Sequence, residues 1–223
     1  MHGLESGEWR PGDSIPSESE LAVRFGVSQG TVRKAVDEMA AENLLVRQQG
    51  KGTFVATHKD PGSFFRFLRL VPNDGELQVS QSVPLECWRA KAGHEAARTL
   101  GIKFGEPITI IRRLLKFSGK PVVIEEIYLP GELFVGLDLE MLQEYKGSFY
   151  SLLETNFGVR MLRAEEHIRA VAADAANAKL LDVAQGTPLL SIERVSYTYG
   201  DRPVEWRQGL YSTAEHFYSN ELS

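Results

Sequence analysis

The sequence predicts an α+β fold in two parts, a small helical N-terminal domain followed by a larger domain built on an antiparallel sheet. Near the N-terminus the apolar residues recur with a helical period, and further along they alternate as in strands. A pattern in the second half also repeats at an offset of 81 positions. We place the first domain at residues 1–57, a linker and entry strand at 58–74, and the second domain at 75–223.

The first helix of the N-terminal domain is expected to begin after Ser17. Ser17 and Glu20 have the spacing of a capping box, in which each side chain satisfies the backbone N–H of the other residue. Gly26 then supplies the residue type at which helices commonly end. The side chains expected to be buried are Leu21, Ala22 and Phe25.

A second helix follows, capped by Ser28 and ending near Asn43. Apolar residues recur along one of its faces, at Val32, Ala35, Val36, Met39 and Ala40. The opposite face carries Gln29, Gly30, Arg33, Lys34 and Asp37. A helix with Gln, Arg and Lys near its N-terminal end can enter the major groove of DNA, where Gln pairs with adenine and Arg pairs with guanine or phosphate.

A short hairpin completes this domain. Residues 45–48 and 53–55 can pair around the turn at 49–52, whose glycines permit positive φ. Two helices, a tight turn and this hairpin outline a winged helix-turn-helix, in which Lys51 at the wing tip can reach a phosphate. Acidic residues outnumber basic ones over residues 1–58, so attraction to DNA depends on local placement of charge, and affinity should be modest without dimerisation.

Three linked motifs of this domain resemble the GntR-type bacterial transcription regulators. They occupy residues 16–22, 27–33 and 50–55 and read Pro-Ser-Glu-Ser-Glu-Leu-Ala, Val-Ser-Gln-Gly-Thr-Val-Arg and Gly-Lys-Gly-Thr-Phe-Val. The resemblance implies binding to double-stranded operator DNA as a homodimer. The contact residues that we expect are Ser17, Ser28, Gln29, Gly30, Thr31, Arg33, Lys34, Gln49, Gly50 and Lys51.

This chain departs from many of those relatives in two ways. Many relatives have Arg where this chain has Ser19 and Gln29, so the operator sequence cannot be carried over from them. Such domains also usually have a helix before the Gly7–Gly12 turn, and only six residues precede that turn here. We therefore expect this helix to be missing or reduced to a stub.

The second domain contains an internal duplication. Seven residues recur 81 positions later, in the pairs Ala97 and Ala178, Leu100 and Leu181, Gly105 and Gly186, Pro107 and Pro188, Ile111 and Ile192, Arg113 and Arg194, and Gly119 and Gly200. Each copy reads as a helix, a Gly-x-Pro turn, a strand, a Gly turn and a strand. The predicted antiparallel strands are 107–117, 121–130, 161–173, 188–199 and 203–213, with helices covering one face of the sheet.

This pattern resembles the effector-sensing domain called UTRA, found in the HutC branch of the GntR regulators, whose fold is like that of chorismate lyase. The resemblance covers about residues 75–218. It implies a small-molecule pocket lined by Arg113, Glu125, Ser148, Tyr150, Glu205 and Tyr211. In such a pocket an arginine pairs with a carboxylate or phosphate, and the carboxylates and hydroxyls bond to amines or hydroxyls of the ligand.

The type of ligand is narrowed by Leu115. Many sugar-phosphate-sensing relatives carry Arg-x-Arg on this strand, whereas this chain keeps only Arg113, which favours a carboxylate or a zwitterion over a sugar phosphate. We also expect Glu125 and Glu205 to occupy comparable places in the two halves, opposed across a cleft without a cation, where they would take an amine or hydroxyl donor. The alternative for Arg113 is a structural ion pair with a neighbouring glutamate of the sheet.

The hypothesis that follows is a metabolite-responsive DNA-binding transcription regulator, a repressor whose operator binding is modulated by a small polar or anionic effector. A ligand-independent DNA-binding dimer and a lyase-like enzyme are the alternatives. We find no nucleophile with a base and no metal-ligand cluster in the sequence, so we expect no catalysis, metal or cofactor.

The composition of the chain indicates the cellular compartment in which we expect it to act. The net charge of −5 and the lack of a long apolar run or a signal-peptide pattern indicate a cytoplasmic protein without a membrane partner. Cys87 is the single cysteine, so an intramolecular disulfide is impossible, and we expect it to be a packing residue.

Overall fold

Two structural units make up the chain, Met1–Ser63 and Phe64–Ser223. The structure is a computed structural model that describes residues 2–59, 68–75 and 80–220. No helix within these ranges is long and apolar enough to cross a bilayer.

The first unit is a helix-turn-helix followed by a hairpin, as predicted. Its elements are α1 (His2–Glu5), α2 (Glu18–Phe25), α3 (Gln29–Ala41), β1 (Leu45–Gln48) and β2 (Gly52–Val55). The capping box is present, because Ser17 Oγ accepts from the backbone N–H of Glu20 and the Glu20 carboxylate accepts from that of Ser17. Gly26 ends α2 with a φ of 65°, in the left-handed region that favours glycine.

Fewer of the predicted core residues of this unit are buried than expected. Leu21, Val32 and Val36 are buried, but Ala35 is exposed and the prediction that Phe25 is buried was wrong, since 57% of it is accessible. Phe25 is the last residue of α2, and its ring lies 5.4 Å from the Arg24 guanidinium. The helix before the turn is a single turn, α1.

The second unit is built on one six-stranded sheet and a separate two-stranded ribbon. Its strands are β3 (Leu70–Pro72), β4 (Gln81–Lys91), β5 (Pro107–Phe117), β6 (Lys120–Pro130), β7 (Arg163–Ala172), β8 (Pro188–Tyr197), β9 (Pro203–Ser212) and β10 (His216–Tyr218). Its helices are α4 (His94–Leu100), α5 (Leu139–Glu144), α6 (Phe149–Phe157) and α7 (Ala175–Leu181). The large sheet has the order β4-β5-β6-β9-β8-β7 with every neighbouring pair antiparallel, and β3 pairs with β10.

The duplication is visible in this strand order. One half contains β4, α4, β5 and β6, the other contains β7, α7, β8 and β9, and β6 lies beside β9 at the centre. The sequence did not predict β4, because this edge strand carries Pro84 and is mostly accessible to solvent, which weakens its apolar alternation. The predicted entry strand near residues 64–69 falls largely on residues 60–67, outside the described part of the chain.

Helices cover both faces of the sheet, so the prediction of one covered face was wrong. The repeat helices α4 and α7 pack on one face, in apolar clusters that contain Ile110 and Leu114. On the other face Leu153 of α6 packs with Ile111 and Ile127. The prediction considered only the repeated helices, whereas α5 and α6 belong to the connection between the two halves.

Candidate DNA-binding surface and effector site

All ten predicted DNA-contact residues are exposed residues of the first unit, and we call this set the candidate DNA-binding surface. Gln29, Gly30, Arg33 and Lys34 lie in the first turns of α3, and residues 49–51 form the turn between β1 and β2. A polar helix start can read bases in the major groove, and a basic wing tip can contact a phosphate.

Ser17 and Ser28 are the caps of the two helices. Ser28 Oγ accepts from the backbone N–H of Thr31 at 3.1 Å and also lies 2.9 Å from Thr31 Oγ1. Ser17 Oγ accepts from the Glu20 N–H at 3.3 Å and donates to the Glu20 carboxylate at 2.7 Å. Both hydroxyls are therefore held within their own helix starts.

Sequence reasoning missed an ion-pair cluster beside this surface, which we call the Glu18 cluster: Glu18, Arg33, Asp37 and Arg47. Glu18 Oε2 accepts from Arg33 Nε at 3.0 Å, and Glu18 Oε1 accepts from Arg47 Nη1 at 3.1 Å. Arg47 Nη2 also donates to Asp37 Oδ1 at 2.7 Å. The hydrogen bond from Arg33 holds the pKa of Glu18 below its usual range, so this carboxylate is ionised at neutral pH.

Five of the six predicted effector residues meet on the α6 face of the sheet. Arg113 of β5 lies opposite Glu125 of β6, and the Arg113 Nε donates to Glu125 Oε2 at 2.8 Å. Tyr211 of β9 donates to Glu125 Oε1 at 2.9 Å. Arg113 and Glu125 are 6% and 1% exposed, so this is a buried ion pair of the kind the structural alternative describes.

Arg207 of β9 links the two predicted carboxylates. Its Nη1 lies 3.1 Å from both oxygens of Glu125, and its Nε donates to Glu205 Oε1 at 2.7 Å. The prediction that Glu125 and Glu205 oppose each other across a cleft without a cation was therefore wrong. β6 and β9 are adjacent strands of one sheet, and the Arg207 guanidinium contacts both carboxylates.

Glu125 and Glu205 also do not occupy comparable places in the two halves. Arg113 pairs in register with Glu125, and its repeat counterpart Arg194 pairs in register with Arg207. The counterpart of Glu125 is therefore Arg207, so the duplication replaces a carboxylate with a guanidinium. The repeated pair Arg113 and Arg194 is visible in the sequence. Finding the residue opposite each of them requires the cross-strand register in both halves.

The start of α6 covers this cluster. Tyr150 Oη accepts from Arg207 Nη2 at 3.2 Å and donates to Glu205 Oε1 at 3.3 Å. The Phe149 ring lies 4.6 Å from the Arg113 guanidinium, which is a cation–π contact. Ser148 caps α6 instead, its Oγ accepting from the backbone N–H of Ser151 at 3.1 Å.

Arg194 extends the cluster toward the β7 edge of the sheet. Its Nε donates to Glu166 Oε1 at 2.7 Å, and Tyr218 donates to the other oxygen of Glu166. A cavity of about 410 Å³ adjoins this pair, and its lining includes Arg69 and Arg163. Sequence reasoning recorded Arg194 as a repeated residue but did not assign it to the site.

The buried cluster is balanced in charge. Burial alone would raise the pKa of Glu125, but Arg207 and Arg113 outweigh that effect and hold the pKa at about 2. Glu205 is fully buried, and its Oε2 has no hydrogen-bond partner among the described residues. A buried carboxylate oxygen without a donor is a place where a ligand N–H or O–H, or a water molecule, would be stabilised.

Two other features of the described residues concern metal binding and the single cysteine. Within the described ranges, no group of three or more His, Cys, Asp or Glu residues is arranged to hold a metal ion. Cys87 packs against the apolar cluster under α6, as predicted, and burial raises the pKa of its thiol to about 11.

Comparison with known proteins agrees with this geometry. The family model described as bacterial regulatory proteins, gntR family, matches residues 2–55, and the UTRA domain model matches residues 78–216. The chain belongs to the GntR family. Its UTRA domain places it with the HutC-type members.

Curated relatives extend along most of this regulator. An HTH-type transcriptional regulator of Mycobacterium tuberculosis is 32% identical over 199 residues, which is 87% of this chain and 72% of that protein. The histidine utilization repressor of Pseudomonas putida is 29% identical over 224 residues, covering 99% of this chain and 87% of that protein. These relatives are regulators, so this chain is a DNA-binding transcription regulator with a UTRA domain and not an enzyme.

A solved structure matches the second unit of the regulator. It is the ligand-binding domain of a protein assigned to the GntR family of transcriptional regulators, from Bordetella bronchiseptica, and it is 48% identical to this chain. The match covers 71% of this chain and 98% of that domain, with a TM-score of 0.69.

Proposed function

We propose that this regulator is a cytoplasmic repressor that binds its operator as a homodimer and releases it when a small effector binds the second domain. The relative from Pseudomonas putida is named a repressor and aligns with 99% of this chain, which supports the assignment. In this proposal residues 1–57 bind DNA, 58–74 link the domains, and 75–223 bind the effector and dimerise.

Operator contact is assigned to α3 and the wing tip. Arg33 reads a base in the major groove, Gln29 favours adenine, and Lys51 contacts a phosphate. The exposure of these side chains supports this assignment. Ser28, Gly30 and Thr31 lie at the N-terminus of α3, where the backbone N–H groups and the helix dipole favour a phosphate.

The effector is assigned to the buried cluster, and we infer that it is a zwitterion. The observation that carries this is Glu205 Oε2, which is buried without a hydrogen-bond partner among the described residues and so suits an ammonium group. The ligand carboxylate would take Arg113, while Glu125 keeps its bonds to Arg207 and Tyr211. A dianionic phosphate is disfavoured because the site is already neutral and Leu115 supplies no second cation.

One observation favours a second candidate function, a ligand-independent DNA-binding dimer. Arg113 is already paired with Glu125 at 2.8 Å, and buried pairs of this kind also serve to define a fold. In that case the cluster is only a structural element of the second domain. The two candidates differ in one measurable property, which is whether any small molecule stabilises the chain.

A thermal-unfolding screen of the full chain separates these candidates. The panel comprises zwitterionic amino acids and their derivatives, monocarboxylates, sugar phosphates and inorganic phosphate. A zwitterion at ~100 times its dissociation constant should add ~2.7 kcal/mol of stability. The Arg113→Ala variant is the matched control and should lose the shift.

Each outcome of the screen has a distinct meaning. Stabilisation by sugar phosphates and not by zwitterions would contradict the inferred ligand class. Stabilisation by no compound, or equal stabilisation of the Arg113→Ala variant, would favour the ligand-independent dimer.

A further inference from the structure

Glu18 connects three elements of the first unit. It is the first residue of α2, directly after the cap Ser17, so its backbone position is fixed by the capping box. Its carboxylate contacts Arg33 of α3 and Arg47 of β1. The Glu18 side chain is only 17% exposed, whereas that of Arg33 is 60% exposed.

The geometry of the Glu18 cluster restricts how the Arg33 guanidinium is oriented. The two carboxylate oxygens of Glu18 are divided between the two arginines, at 3.0 Å from Arg33 Nε and 3.1 Å from Arg47 Nη1. Asp37 holds Arg47 from its other side at 2.7 Å. Glu18 therefore cannot rotate away from Arg33 without also losing Arg47.

The contact uses the Nε edge of Arg33, and this decides which part of the guanidinium can read a base. An arginine reads guanine with two parallel N–H groups, and a guanidinium held at Nε can present the edge formed by its Nη groups. A long side chain that is held before binding loses less rotamer entropy on binding.

We propose that Glu18 is a positioning residue for DNA recognition, which holds the Arg33 guanidinium in the orientation that reads a base. This inference rests on the proposed function, in which Arg33 contacts the operator. Glu18 is a carboxylate beside a DNA-binding surface, so it also repels phosphate and lowers affinity for DNA of any sequence. Its two effects on operator binding have opposite signs, since positioning of Arg33 strengthens binding to the operator while charge repulsion weakens binding to DNA of any sequence.

The test compares operator and scrambled duplexes bound by the full chain, with the operator obtained by selection from a random pool. The Glu18→Gln variant should lower the ratio of operator affinity to scrambled-DNA affinity about tenfold. Its affinity for scrambled DNA should stay the same or rise, because one negative charge is removed.

Two controls separate positioning from charge and from folding. Asp37→Asn removes a carboxylate of the same cluster that contacts Arg47 and not Arg33, so the ratio should stay within about twofold of wild type. In an Arg33→Ala background Glu18→Gln should have no further effect on the ratio, because Glu18 acts through Arg33.

Two results would overturn the inference. The first is an unchanged ratio in Glu18→Gln, including an equal fall in both affinities, which is what a merely structural role in α2 would produce. The second is a full effect of Glu18→Gln in the Arg33→Ala background. The proposed function fails in a different way, by a wild-type chain without sequence preference or an Arg33→Ala variant with the wild-type ratio.

Discussion

Arg207 is the residue that neutralises both Glu125 and Glu205, and it contacts Tyr150 as well. Two carboxylates on adjacent strands, each less than 2% exposed, would repel each other strongly without it. Among the described residues Arg113 forms an ion pair with Glu125 alone, so it can exchange partners with a ligand while Arg207 keeps the cluster together. At the residue scale, Arg207 is therefore assigned to stability and Arg113 to ligand response.

Replacement of Arg207 tests the first of these roles. Arg207→Met should lower the free energy of unfolding by about 3–5 kcal/mol, because it leaves Glu205 buried without its cation. Urea unfolding followed by circular dichroism measures this change. Arg112→Met is the matched control, since Arg112 pairs with Glu86 and Glu126 where its side chain is 38% exposed, and it should cost about 1 kcal/mol or less. Equal costs for the two variants would contradict the assignment.

The ionisation of Glu125 should make the free energy of unfolding depend on pH. Its pKa is depressed to about 2 in the folded chain from an ordinary value of 4.5. A depressed pKa contributes stability that is fully present above the unfolded value and is lost as pH falls from there toward the folded value. The stability difference between wild type and Glu125→Gln, measured by urea unfolding, should therefore shrink between about pH 5 and pH 3. A difference that does not change over this range would show that Glu125 is not held ionised.

Lys51 at the wing tip should contribute to the salt dependence of operator affinity. Lys51→Ala should reduce the slope of log affinity against log salt by about one unit, because one phosphate contact is lost. Lys103→Ala removes the same charge from an exposed position of the second unit and should leave the slope unchanged. Titration of a fluorescent operator duplex at several salt concentrations gives both slopes. An identical slope for wild type and Lys51→Ala would remove Lys51 from the DNA-binding surface.

At the scale of elements, the duplication explains a local strain in α7. Helix α4 ends at Gly101 with a φ of 63°, and its counterpart α7 ends at Asp182 with a φ of 53°. The two residues are 81 positions apart, so the same helix end is made once with glycine and once with a residue that has a β-carbon. The left-handed conformation is costly for a residue with a β-carbon.

Asp182→Gly should therefore stabilise the second unit, by a few tenths to about 1 kcal/mol. Asp182→Ala is the control and should lower stability, because alanine keeps the β-carbon and loses the local hydrogen bonding that lets aspartate adopt this conformation. Thermal unfolding of the three proteins gives the order. If the glycine and alanine variants had equal stability, the backbone explanation would be excluded.

Elements defined by local chemistry were predictable from the sequence. The capping box of α2 and its end at Gly26 depend on residues at the two ends of one helix. The duplicated strands could be identified because their residues recur at a fixed offset of 81 positions. The contact of Arg207 with both carboxylates was not predictable, because it depends on the register of β6 and β9, in which Arg207 lies opposite Ile127 and Glu125 lies opposite Gly209. The Glu18–Arg33 contact likewise joins residues on two helices, which no periodicity within either helix reveals.

At the scale of the whole molecule, regulation by an effector requires that the effector and the operator influence each other's binding. A ligand shifts a protein between two states only by the difference in its affinity for them, and allosteric coupling free energies are typically ~1–3 kcal/mol. The same free energy must appear in both directions, so a ligand that weakens operator binding is itself bound less tightly by the operator complex. The buried cluster and the candidate DNA-binding surface lie in different units. A substitution in the buried cluster should therefore leave operator binding unchanged, and a substitution in the DNA-binding surface should leave effector binding unchanged.

The most direct test of this claim is the operator affinity of the full chain with and without the zwitterion that gives the largest thermal shift in the screen. The saturating compound should weaken operator binding of the wild type at least about fivefold. The Arg113→Ala variant should bind the operator as the wild type does without compound and should show no response to it. Unchanged operator affinity of the wild type at saturating compound, or an equal response in the variant, would contradict a metabolite-responsive regulator that senses its effector at this cluster.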